Sequence, residues 1–334
     1  MRTGEVVIVN PTDSGPGGAV LQRAFGDAEL LRPLLHDLQA SVYIVDRKRR
    51  IVYWNRAAEQ STGYLRHEVA DRYCHQDLLM HCDVEGEVLC GRRCPLAGVL
   101  EDGKPRECAA FLRHKAGHRV PVRVRTRPVH GAEGEVIGAL EAFETAMAPG
   151  RTGLAPKEED GRLDQGTGAL DRAYGELQLT HALHAASWFN LALGWIRVEL
   201  DGADSLAHRY GHGLIDAAMR MMARTLDANV GSRDEVIRWD RTAFSVLVHD
   251  ASPAQLADLA GKLAVMVRAS NVEWWGEPLC VTSSVAASKA GSSDSFRSIE
   301  DRVVRLVERC RARGGNRAEY DFDPGEQPGP FCTP

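Results

Sequence analysis

The sequence predicts an α+β protein built from two units and a connector. Three observations carry that prediction. The first half holds five short β-rich runs, with helical segments inserted between the second and third. The second half alternates helix and strand. Between them, Met147 to Gln165 is rich in Gly, Pro and charge and shows no sustained heptad, which predicts a flexible linker rather than a rigid coiled coil. A chain of 334 residues is long enough for about two ordinary domains, and 44% hydrophobic with 26% charged residues is a soluble globular composition. Apolar runs such as Val6 to Val9 are too short to span a bilayer and follow no signal-peptide pattern, so a cytoplasmic protein without membrane partners is expected. A formal charge of -5 provides no field to gather nucleic acid, despite local basic clusters such as Arg119 to Arg127.

Residues 1–29 carry the Gly- and Pro-bearing stretch Asp13 to Gly18 and predict a loose tail, with an amphipathic stretch from Ala28 to Leu38 leading into the first unit, 30–145. Ser41 to Asp46 and Ile51 to Trp54 form a hairpin around the basic turn RKRR. Asn55 caps the next helix, which ends near Gly63. Ala109 to His114, Arg119 to Pro128 and Val136 to Phe143 supply three further strands, giving one antiparallel sheet with helices over one face. After a linker at 146–163, the second unit, 164–324, runs as follows: helix Gly168 to Ala186, strand Leu191 to Leu200, helix Leu214 to Ala228, hairpin Val236 to Val248, helix Pro253 to Ala269, strand Leu279 to Ala286, helix Ile299 to Arg311. Residues 325–334 form a closing tail. The hairpin reads VIRWDRTAFSVLV and has neither Gly nor Asn at its tip, so a longer or more open loop is expected there. Trp54, Trp239, Trp274 and Trp275 are expected as core or interface aromatics.

The stretch YIVDRKRRIVYWNRAAEQSTGYLRHE resembles the opening of a PAS sensor domain, with Ala58, Glu59, Gly63 and Tyr64 at the pattern's helix positions, and HKAGHRVPVRVRTRPV resembles its late strands. The segments THALHAASWFNLALGWIRVELDGADSLAHRYGH, RDEVIRWDRTAF and ERCRARGGNR together resemble a GGDEF domain, an α/β sandwich of the nucleotidyl-cyclase type that in active form condenses two GTP into cyclic di-GMP. Tyr210, Gly211 and His212 match its Y-G-H turn and Asp216 the acid that follows, while the hairpin tip falls on the Gly-Gly-Asp/Glu-Glu-Phe signature. Of that signature only Phe244 is kept. The resemblance implies glycines where Asp240 and Arg241 stand, a magnesium-holding acid where Thr242 stands, and a second acid where Ala243 stands. Side chains at the glycine positions intrude on a nucleotide, and the Asp240 carboxylate repels its phosphates.

The first-strand metal Asp aligns with Glu199, which can still coordinate, and the basic residue of the last helix is kept as Arg311. The Asn and Asp before the Y-G-H turn are Ala207 and His208, the Arg of the closing G-R-N is Gly315, and the inhibitory Arg-x-x-Asp pair is reduced to Gly231 and Asp234. The expectation is therefore a site with remnants at Glu199, Asp216, Thr242 and Arg311, no intact catalytic set, and replacements that argue against binding of magnesium and GTP. Two other readings stay open: Arg241, Asp216 and Arg311 holding a nucleotide without catalysis, and an atypical diguanylate cyclase using Glu199, Asp216 and Arg311 with a reorganised metal site. A homodimer through the PAS unit and a protein partner in cyclic di-GMP signalling are the implied associations.

Five of the eight cysteines, Cys74, Cys82, Cys90, Cys94 and Cys108, lie in one short segment, a pattern that in a reducing compartment points to metal or redox chemistry. Cys74 and His81 share one face if that part is helical, and Cys94 is placed at a helix N-cap with Pro95 first in the helix. Arg92, Arg93 and the helix start favour thiolate over thiol. Cys74, His81, Cys82, Cys90 and Cys94 thus form a candidate donor set for zinc or an iron-sulfur cluster, with a bare thiol switch and simple packed thiols as alternatives. His114 and His118 are further candidate ligands for haem or metal on the late strands.

Overall fold

The computed structural model describes residues 35–147 and 161–325, apart from 37, 77, 92, 190 and 292. The expected tail at 1–29, most of the amphipathic stretch 28–38, nearly all of the linker at 146–163 and of the tail at 325–334 lie outside the described residues. Among the described residues no helix is long and apolar enough to cross a membrane.

In the N-terminal sheet, strands β1 (Ser41–Asp46) and β2 (Ile51–Trp54) pair antiparallel. Asp46 holds the turn between them. Its carboxylate accepts from the backbone N–H of Lys48 and Arg50 at 2.8 and 2.9 Å, which lets Arg49 take φ 65 without a glycine. Helix α1 (Arg56–Thr62) starts from Asn55 and stops at Gly63, whose φ of 74 is the left-handed cap expected there. Short α2 (Arg66–Val69) follows, then irregular chain, then α3 (Pro95–Asp102) with Cys94 as N-cap and Pro95 as its first residue. Strands β3 (Arg106–Arg113), β4 (Arg119–His130) and β5 (Val136–Thr145) complete a five-stranded sheet of order β2-β1-β5-β4-β3. Its inner face buries Tyr43, Trp54 and Phe143, with Tyr43 tilted at 5.4 Å against Trp54 and edge-on at 6.4 Å to Phe143.

The C-terminal sheet is assembled from α4 (Arg172–Phe189), β6 (Leu193–Leu200), α5 (Ala203–Tyr210), α6 (His212–Asn229), β7 (Glu235–Arg238), β8 (Ala243–His249), α7 (Pro253–Ala269), the small hairpin β9 (Val272–Trp274) and β10 (Glu277–Leu279), β11 (Ser283–Lys289), α8 (Phe296–Ala312) and β12 (Arg317–Tyr320). Its order is β12-β11-β6-β8-β7, with β12 parallel to β11 and every other pair antiparallel. Period-two alternation along β6 divides the core. Ile196, Val198 and Leu200 pack in one cluster with Leu214, Met222 and Leu263, whereas Leu193 and Trp195 pack in the other with Leu179, Ile299 and Val303. Helices therefore cover both faces, and β6, hydrogen-bonded on both edges, is the strand around which the unit is organised.

Three elements were not expected from the sequence: α5, which buries no residue fully, the β9–β10 hairpin of three-residue strands, and β12. The strand expected at Leu279 to Ala286 lies instead at Ser283–Lys289, because Leu279 closes the small hairpin. Trp275 is 88% exposed at the hairpin turn, at φ 52 beside Gly276 at φ 85, so it is not a core residue. Trp54 and Trp239 are buried as expected.

Two measurements test the N-terminal sheet. Asn55 is fully buried; its Oδ1 accepts from the N–H of Val42 and Ala58 at 2.9 Å each, and its Nδ2 donates to the carbonyls of Leu35 and Ala40 at 3.1 and 2.9 Å. Asn55→Ala orphans those partners and is expected to cost about 2–4 kcal/mol in denaturant unfolding. Glu141, opposite Tyr43 and accepting its hydroxyl at 2.9 Å, is pushed up to about 7 by burial. The fold thus keeps a proton that the unfolded chain releases, so stability is highest at low pH and falls as pH rises from about 4.5 through about 7. The full effect is on the order of 3 kcal/mol, and Glu141→Gln should flatten that slope in pH-resolved melts.

Candidate functional site

The hairpin between β7 and β8 closes without a left-handed residue. Trp239 N–H donates to the Ala243 carbonyl at 3.0 Å, and Asp240 turns its carboxylate back to accept the Thr242 N–H at 2.8 Å. None of residues 239–243 has positive φ. An Asx turn thus does the work that glycine conformational freedom would do in a tight tip, in line with the open loop expected from the sequence. Arg238 caps the same loop, donating from Nη2 to the Arg241 carbonyl at 2.5 Å and lying 5.1 Å over the Phe244 ring. Burial lowers its pKa, partly offset by the negative charges of Asp164, Asp240 and Asp216. Asp240 and Arg241 are exposed, Thr242 is half-buried and Ala243 is buried.

Directly across the sheet from Ala243 is Glu199. Its Oε2 lies 2.6 Å from Arg311 Nη2, and its Oε1 lies 3.6 Å from Arg197 Nη1. Arg197, 3% exposed, is further held by Glu300 of α8, by Ser245 Oγ at 2.9 Å, and by the Trp239 ring 4.8 Å away. Trp195 Nε1 donates to the other oxygen of Glu300 at 3.1 Å. Burial raises the Glu199 carboxyl against the pull of Arg311 and Arg197, with Asp240 adding to the rise. The divalent cation implied at Glu199 and Thr242 is poorly matched by this arrangement. Both oxygens of the one carboxylate face guanidinium groups, and the Thr242 hydroxyl turns to Asp240 at 3.4 Å.

Asp201, two residues further on, received no role from the sequence. Its carboxylate accepts from Thr282 Oγ1 at 2.8 Å, Ser284 Oγ at 2.6 Å and the Asn316 N–H at 2.9 Å. Gly315, where the resemblance implies Arg, has φ 67, and a Cβ there would sit 2.8 Å from Asp201 Oδ2. The position admits no side chain while Asp201 stays in place. The spacing of Asp201 from Glu199, two residues on and just past the end of β6, is the signal in the sequence that points to it. Gly211, φ 83, ends α5 and begins α6, which accounts for the glycine of the Y-G-H turn. Asp216 is exposed one turn into α6, whereas Asp234 is buried, accepting from the N–H of Gly231 at 2.7 Å and of His249 at 3.0 Å.

The cysteine segment departs from expectation. Residues 74–76 and 78–79 form turns and bends rather than a helix, so Cys74 and His81 share no helical face. Burial pushes the Cys74 thiol well above its ordinary range, with Glu141, Cys94 and Cys90 adding to the rise, which favours its neutral form. Burial acts in the same direction at Cys82 and Cys108, and lowers His81 to about 4, leaving a neutral imidazole. Cys82 pairs through its backbone with Phe111, at 3.0 and 2.9 Å. Cys90 and Cys94 are half-buried, and Arg92 lies outside the described residues. Among the described residues no three His, Cys, Asp or Glu side chains are grouped to hold a metal ion, so Cys74, His81, Cys82, Cys90 and Cys94 are not gathered into the expected zinc or iron-sulfur set. His114 and His118 stack on each other at 4.4 Å across the β3–β4 turn, lowered by burial to about 4 and about 3.

Comparison with known proteins matches this architecture. Residues 35–146 fit the PAS fold family, and residues 162–316 fit the diguanylate cyclase GGDEF domain family. The chain is a PAS–GGDEF protein, related to diguanylate cyclases. The response regulator PleD of Caulobacter vibrioides is 27% identical over 156 residues, which is 46% of this chain but only 34% of that relative. Among solved structures, the GGDEF domain of DgcB from Caulobacter crescentus, in complex with c-di-GMP, is 17% identical over 49% of this chain and 95% of that one, with a TM-score of 0.47. The diguanylate cyclase SiaD from Pseudomonas aeruginosa, in complex with its activator SiaC, is 17% identical over 49% of this chain and 63% of that one, at TM-score 0.47. A sensory box/GGDEF family protein from Caulobacter crescentus is 24% identical over 46% of this chain and all of that one, at TM-score 0.43.

In the GGDEF domain, Asp201→Ala removes three hydrogen-bond acceptances at the junction of β6, β11 and the β12 approach. Chemical denaturation should register a loss of about 2–3 kcal/mol, and an unchanged midpoint would show that this carboxylate holds nothing.

Proposed function

We propose that this PAS–GGDEF protein does not synthesise cyclic di-GMP and that its GGDEF domain acts by binding, under control of the PAS domain. The observation that carries this reading is the saturated Glu199 carboxylate. The chemistry implied by the family needs a magnesium ion to neutralise the triphosphate while two GTP molecules are brought into line. The residues that would hold the ion here are Glu199 and Thr242; the first is paired with Arg311 and Arg197, and the second brings no charge. Ala243, buried and facing Glu199 across the sheet, adds no acid. What the tip offers outward is Asp240 and Arg241, and these are the residues proposed to meet a protein partner.

In this reading the PAS domain responds to a signal and self-associates, and the signal works by favouring one of two states of the chain, which requires that it bind one better than the other. Of the roles open to the cysteine segment, a thiol-based response at half-buried Cys90 and Cys94 is the one that needs no gathered metal site. Purified protein incubated with GTP and magnesium or manganese, with nucleotides separated by chromatography, is expected to form no cyclic di-GMP while circular dichroism reports an intact fold. Steady accumulation of the dinucleotide over many turnovers would establish the atypical cyclase instead.

A further inference from the structure

Resting on the non-cyclising reading, we infer that Arg197 is an internal cation that takes over charge neutralisation at Glu199, so that exclusion of a divalent ion is built into strand β6 and not only into the altered hairpin tip. A charge facing the interior from a central strand has no access to water and must be answered by neighbours. Residues 197 and 199 project from the same face of β6 because side chains alternate along a strand, which sets the Arg197 guanidinium alongside the Glu199 carboxylate. Its contacts occupy the group on all its working edges: Nε donates to Ser245 Oγ at 2.9 Å, Nη2 to Glu300, Nη1 faces Glu199 at 3.6 Å, and the Trp239 ring lies 4.8 Å from Cζ.

The charge count closes. Two carboxylates, Glu199 and Glu300, meet two guanidiniums, Arg197 and Arg311, and the cluster sums to zero. A divalent ion seated at Glu199 would add two positive charges beside two that are already there, in a half-dry site where such repulsion is weakly screened. It would also have to displace the 2.6 Å contact from Arg311. Arg311 sits on the exposed end of the network, half open to solvent, and can swing away. Arg197 is 3% exposed and cannot. The fixed member is therefore the one that keeps the cation out.

The test separates strand from tip and needs no catalysis. A tip-restored version, Asp240→Gly, Arg241→Gly, Thr242→Glu and Ala243→Glu, is compared with the same version also carrying Arg197→Leu and Glu300→Gln, the second change keeping an acceptor for Trp195. Manganese alone is titrated and followed by electron paramagnetic resonance, with Glu199→Gln in each background to identify the ion bound at this carboxylate. Tip restoration alone should leave Glu199-dependent binding weak, and removing Arg197 should tighten it at least tenfold. Equal binding in the two versions, or none in either while circular dichroism shows both folded, would overturn the assignment. Those outcomes leave the cyclase assay on the unaltered protein untouched, so the two readings fail separately.

Discussion

The C-terminal domain is organised around a cluster of paired charges on the face of its central strand, buried at Arg197 and open to solvent at Arg311. Arg197 could not occupy a position between β8 and β11 unless something inside the protein answered its charge, and Glu199, Glu300, Ser245 and the Trp239 ring supply that answer. Because these partners come from β6, α8, β8 and the hairpin tip, the cluster couples those four elements. The same geometry leaves both oxygens of the Glu199 carboxylate facing guanidinium groups.

A second theme is the structural use of short polar side chains. Asp46 closes the β1–β2 turn, Asp240 closes the β7–β8 turn, Asp234 organises the approach to β7, Asp201 ties β6 to β11 and to the segment before β12, and Asn55 joins a strand, a helix start and two carbonyls. Each spends its lone pairs on backbone or hydroxyl donors, and Asp46 also accepts from Arg50 Nε at 3.1 Å. Asp46, Asp201 and Asp234 are thus occupied within the fold, and in the PAS domain burial raises the Glu141 carboxyl.

Local signals were legible where one residue type answers one local need. Asn55 and Gly63 bracket a helix, Cys94 and Pro95 begin another, and Pro253 to Ala269 is helical over the span read from its periodicity. In the cysteine segment a spacing of seven puts Cys74 and His81 on one face only in a helix, whereas the described chain there turns, and Cys74 and Cys82 are buried as apolar groups. For Trp275 residue type leaves core and interface both open, and a two-residue turn with Gly276 holds it outside the core.

By itself the sequence determined that a PAS-like unit precedes a GGDEF-like one and that the hairpin tip reads Asp240, Arg241, Thr242 and Ala243, because motif identity and hydrophobic period are properties of neighbours along the chain. Only the tertiary structure decided what the surviving residues do. Glu199 and Arg311 read as catalytic remnants in one dimension, and they are each other's partners in three, since pairing across 112 positions depends on how β6 and α8 pack. Asp201 and Arg197 were silent for the same reason: their meaning lies in groups that only folding brings within reach.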